Sequence, residues 1–134
     1  MKVLKLRGNM SIINRSTIIL FHKKPLIEWQ NSIFPEDTME YEEDFFQNDQ
    51  AHVYLIPEFD FEENVDTWLK ENYIHIFEDV LEDWCTNEAL WPKNLTYAMF
   101  KDWFHINYQS MVLDTLDEPI IKDDDDEFFE DEED

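Results

Sequence analysis

Residues 16–22 read Ser-Thr-Ile-Ile-Leu-Phe-His. A short run this rich in β-branched and apolar residues predicts a buried strand. Lys23 and Lys24 end it, and Pro25 suits the first turn of a helix. Leu26, Ile27, Trp29 and Gln30 follow, and Phe34-Pro35 closes the helix. A second strand is expected at Ala51–Pro57. It alternates, with His52, Tyr54 and Ile56 on one face and Val53 and Leu55 on the other. Pro57 marks its end or a sheet edge.

Further on, Val65, Trp68, Leu69, Tyr73, Ile76, Phe77, Val80, Leu81 and Trp84 recur at spacings of three and four. They form the stripe of an amphipathic helix over 61–84, ~36 Å long if Asn72-Tyr73 does not break it. The opposite face carries Glu63, Glu71, Glu78, Asp79, Glu82 and Asp83. Thr86-Asn87 is a turn, and Glu88–Pro92 is irregular. Asn94 or Thr96 caps a helix running to about Phe104. Ile106–Leu113 reads as a third strand, with Ile106, Tyr108, Ser110 and Val112 on one side. Ile120-Ile121 adds a short edge strand after the Asp117-Glu118-Pro119 turn. The acidic connector 36–50 has room for a short helix.

This order predicts an α+β fold in a single small domain. Three to four strands form a sheet, with three to four helices packed mainly on one face. Residues 1–10 read as a flexible basic extension, 11–122 as the domain, and 123–134 as a disordered acidic tail.

The 134 residues hold 33 acids against 10 bases, a net charge of −23. Residues 1–24 carry six of the bases and no acid. Duplex nucleic acid and anionic membranes are disfavoured as ligands, because both need Lys and Arg in quantity. A basic partner is favoured, although high net charge also serves solubility alone. The single Gly excludes dinucleotide, Walker and nucleophile-elbow motifs. The single Cys excludes an internal disulfide framework and a multi-cysteine zinc site. The longest apolar runs are four residues, far short of a membrane span. With one Cys and no export signal, the expected compartment is the cytoplasm.

Candidate chemistry is sparse. Glu71, His75, Glu78 and Glu82 share one helical face, with ligand types suited to Mn²⁺, Fe²⁺ or Zn²⁺. A di-metal site also needs a facing ligand-bearing helix, and residues 95–104 offer little. No metal or other cofactor is therefore expected. The tail has EF-hand spacing at Asp123, Asp125 and Glu127, but Phe128 stands where the turn needs Gly. Glu58, Asp60 and Asp114 sit at strand ends and turns, and are the better-placed carboxylates for acid–base work. Cys85 lies beside acids that suppress a thiolate. Asp102, His105 and Ser110 have triad residue types without a positioning motif. Trp91 sits in a loop, and the 95–104 helix is apolar on most of its circumference. These either fold back over the core or form an apolar patch rimmed by acids, as in protein-binding sites.

Several stretches resemble a family of small acidic proteobacterial proteins. They are Asn14-Arg15-Ser16, Val53-Tyr-Leu-Ile-Pro-Glu58, Glu88-Ala-Leu-Trp-Pro92, Phe100-Lys-Asp-Trp-Phe104 and Met111-Val-Leu-Asp114. The resemblance spans roughly 11–121, a domain-sized stretch. It implies that both ends are peripheral. It implies no activity and transfers no catalytic residue.

The favoured reading is a non-enzymatic interaction module for a basic protein. Glu63, Glu78 and Glu82 attract the partner, and Trp91, Tyr97 and Phe104 anchor it. One alternative is a DNA mimic that inhibits a nucleic-acid-binding protein. The other is a metal- or carboxylate-dependent enzyme, which needs converging polar groups that no motif marks.

Overall fold

The computed structural model describes residues 10–41 and 51–123. The expected basic extension, the Phe45-Phe46 part of the connector and the acidic tail beyond Asp123 lie outside the described residues. The chain is α+β. Its contacts divide it into two units, Asn14–Val112 and a second formed by Met1–Ile13 with Leu113–Asp134.

In the larger unit the central strand is β2, Ser16–His22. Strand β3, His52–Ile56, and strand β4, Phe104–Gln109, flank it, and both pairings are antiparallel. Helix α1, Lys24–Ile33, follows β2 directly with Pro25 in its first turn. That position suits Pro, which has the helical φ and no N–H to leave unsatisfied. Helix α2 spans Glu63–Trp84 without a break at Asn72. The Asn72 amide donates back to the Trp68 carbonyl instead. A single 3-10 turn, Glu88–Leu90, and the short helix α3, Tyr97–Trp103, complete the unit.

The three helices pack on one sheet face. Ser16, Ile18, Leu20 and His22 of β2 are buried there, with Ile56 of β3 and Phe104 of β4. α2 presents Val65, Leu69, Ile76, Phe77, Val80 and Leu81 to the same core. Phe77 is its hub, its ring lying 5.6 Å from those of Phe100, Trp103 and Phe104.

The opposite face is different. Thr17, Ile19 and Phe21, Val53 and Leu55, and His105, Asn107 and Gln109 alternate onto it. Val53 and Leu55 are well exposed. No acidic residue occupies any of these positions, in a chain with 33 of them. A charge at one of these positions would lie directly across the strand pair from apolar neighbours.

Two expectations are corrected. The third strand begins at Phe104 and stops at Gln109, so Phe104, Ile106 and Tyr108 face the helices. Ser110 is exposed beyond its end. The strand starts early because α3 ends at Trp103, and the extended backbone pairs at once with His22. Ile120-Ile121 forms no strand and is exposed. In the second unit, Leu113–Asp114 (β5) pairs instead with Ser11–Ile12 (β1).

Thr96 caps α3, its hydroxyl accepting from the Met99 amide. Asn94, the other cap candidate, takes a left-handed φ of 58°, which Asn tolerates better than most residues. A seven-residue helix has few bonds of its own, so its cap matters. Thr96→Ala is expected to lower unfolding free energy by about 1 kcal/mol, read from a urea midpoint at unchanged m value.

Candidate functional site

Helix α2 ends against its own dipole. Its last turn holds Glu82 and Asp83 and no basic residue. Carboxylates at a helix C-terminus are unfavourable by roughly 0.3–1 kcal/mol each. Local rules broken this way mark places where another demand overrides helix stability. Two features lie at this end of the helix: a groove outside, and a polar ladder inside.

The groove consists of two adjoining hollows. One, of about 290 Å³, is lined by His75, Glu78, Asp79, Glu82, Glu88 and Trp91. The other is lined by Asp79, Glu82, Asp83 and Thr86. Spacings of three and four put the α2 residues on one face. The loop after α2 brings Glu88 and Trp91 back beside them. Trp91 is half-buried, its indole N–H donating to the Cys85 carbonyl at 2.7 Å. That bond fixes the ring where α2 stops. Among the described residues, no Lys or Arg lines either hollow.

The ladder joins α2 to β3. The Tyr54 hydroxyl donates to Asp79 at 2.8 Å. His52 Nε2 meets Asp83 at 3.3 Å. Residues four apart on a helix and two apart on a strand are both separated by ~6–7 Å, so two rungs form in step. Burial, with the Asp79 bond adding to it, pushes the Tyr54 hydroxyl far above the ordinary tyrosine range. Behind His52 lies His22, its Nε2 3.1 Å from His52 Nδ1. His22 is only 4% exposed. The two residues are diagonal neighbours on the core face, since His52 pairs with Leu20. Burial is the main cause that lowers the His22 imidazole to about 4; nearby His52 adds to it and Asp83 opposes it.

The sequence candidates separate accordingly. Glu78, Glu82 and Trp91 meet in the groove, and His75 joins them. Glu71 does not line it. Among the described residues no three His, Cys, Asp or Glu side chains are placed to hold a metal ion. Phe104 is not a surface anchor: it is 1% exposed and packs on Phe77 and Phe100. Tyr97 does not line the groove; its hydroxyl donates to Asp66 at 2.6 Å, and the Lys101 ammonium sits over its ring. Glu63 stands in the first turn of α2, roughly 22 Å along the axis from Glu78. Cys85 is half-buried, its thiol 3.7 Å from the Asn87 carbonyl. Ser110 offers only its carbonyl, to the Ser16 hydroxyl.

His22, His52 and Asp83 were not singled out by motif. The one sequence signal is a His ending an otherwise apolar strand.

No family model, curated protein or solved structure matches this chain. Among the described residues no helix is long and apolar enough to cross a membrane.

Proposed function

We propose that the domain is a protein-interaction module that grips a lysine- or arginine-bearing segment of a basic partner in the α2 groove. The observation that carries the reading is four carboxylates, Glu78, Asp79, Glu82 and Glu88, gathered around one aromatic ring with no lining cation among the described residues. Such a field draws cations in and speeds encounter. Trp91 offers a face on which a guanidinium or ammonium stacks. The groove has room for one such side chain, and the exposed helix flanking it supplies the rim. The acids stay at the end of α2 despite the dipole because the partner's charge offsets it. The setting we propose is the cytoplasm, in keeping with a single free cysteine. Kinship with small acidic proteobacterial proteins belongs to the same proposal.

A tetra-arginine peptide titrated calorimetrically at low salt tests this. Glu78→Gln with Glu82→Gln is expected to weaken binding at least tenfold, and Trp91→Ala by roughly tenfold. Deleting residues 124–134 is expected to change it less than threefold. If affinity instead follows net charge, so that the tail deletion weakens binding as much as the groove variants, the groove is not the site.

A further inference from the structure

We propose that the Asp83–His52–His22 chain is an acid-sensitive latch, which holds edge strand β3 against the end of α2 until the histidine pair takes up a proton. The argument is one of proton places. An ionised Asp83 only accepts, so His52 Nε2 carries a hydrogen. Neutral His52 then has its lone pair at Nδ1, and His22 Nε2 must donate to it. That leaves His22 Nδ1 as a bare lone pair. It is buried and, among the described residues, has no hydrogen-bond partner.

Add one proton. If His22 takes it, Nδ1 becomes an N–H. If His52 takes it, His52 Nδ1 donates to His22 Nε2, and His22 must move its own hydrogen to Nδ1. Either way the chain ends in an N–H with no acceptor, inside a core. A buried donor without a partner is strongly disfavoured.

Among the described residues no acceptor is bonded to that Nδ1, and the charged groups around it are engaged elsewhere. From α2, Asp83 lies one ring away from His22, and Asp79 is taken by Tyr54. From β3 come only His52 and Tyr54. From β4, Phe104 presents an aromatic ring to the His22 imidazole, 6.1 Å between centroids. Lys23, next in sequence, turns its ammonium to the Lys101 carbonyl. The acid form therefore fits only when β3 parts from α2 and water reaches the pair. The lowered His22 value agrees with this.

β3 and β4 are both edges of the three-stranded sheet, and β3 is the one to part because it carries His52, which joins Asp83 to His22. Opening it exposes His22 without disturbing β4.

Amide hydrogen exchange on the full chain, at about pH 7.5 and pH 5, tests the latch. With 6.5 for the open state and about 4 for the closed one, protection over His52–Ile56 is expected to fall about thirtyfold. In His22→Gln the side-chain amide still donates to His52 but does not titrate, and the extra loss is expected to vanish. Equal protection at both pH values in the wild type, or the same loss in the variant, overturns the proposal. Side-chain nitrogen spectra of the wild type give a check that needs no variant. They should show His22 protonated at Nε2 alone at pH 5.5. A doubly protonated His22 with β3 still protected at that pH overturns the latch.

Discussion

Replacing Phe77 by alanine is expected to remove about 4 kcal/mol of unfolding free energy. Phe77 is fully buried, and three other aromatic rings close on it. Those rings come from one continuous stretch, Phe100–Phe104, which runs from α3 into β4. Truncation therefore opens a cavity that a rigid helix and a paired strand cannot collapse to fill. Edge-to-face geometry adds to the loss, since such pairs contribute beyond their buried area. Domains of this size have roughly 5–15 kcal/mol in all. The urea midpoint should fall by roughly 2 M at ordinary m values. Val53→Ala is the matched control on the sheet face away from the helices. Val53 is 63% exposed, and its loss is expected to stay within about 0.5 kcal/mol. Equal effects at the two positions would mean that the core does not lie where the helices place it.

Acid is expected to erode the stability of the wild type by about 3 kcal/mol more than that of His22→Gln between pH 6.5 and pH 4. The sign follows from proton counting. The folded chain keeps His22 neutral down to about 4, while the unfolded chain protonates it near the ordinary histidine value of 6.5. Within that window the unfolded state binds the extra proton, so its share grows as pH falls. Above the window the two states bind equally and the contribution is fully present. A second effect runs the other way. Protonating some of the 33 acids relieves self-repulsion and favours the compact state. The raw curve of either protein mixes both effects, and only their difference isolates His22. The measurement is a set of urea melts at half-unit steps of pH on both proteins. Parallel curves would place His22 in solvent contact, against its burial.

Much of the architecture was legible because it rests on local periodicity. The α2 stripe from Val65 to Trp84 is a spacing of three and four, and the helix formed over nearly the expected span. β2 was legible as an apolar run between polar neighbours, and Pro25 marked α1. The end of the third strand was not legible. Ile106–Leu113 alternates plausibly throughout, yet β4 stops at Gln109 where β2 runs out of partners at Thr17. Half of the site was readable in the same way. Glu78 and Glu82 share a helix face by spacing alone. Trp91 stands out as a large aromatic in a loop, but its fixed position depends on a hydrogen bond across six residues to Cys85. Phe104 was misplaced because an apolar helix end and an apolar strand start look alike.

By itself the sequence determined the α+β class, the helix that carries the acids, and the excess of negative charge. These follow from composition and from contacts between residues a few positions apart. The tertiary structure alone decided which acids converge and which histidines meet. His22, His52 and Asp83 lie far apart in the chain, and their chain of bonds depends on the β2–β3 register and on the height at which α2 crosses the sheet. A shift of one residue in that register would turn His52 to the other face. Tertiary structure also left one sheet face free of acids. With so many carboxylates available, only the packing of all three helices on the other side decides which face is buried beneath them.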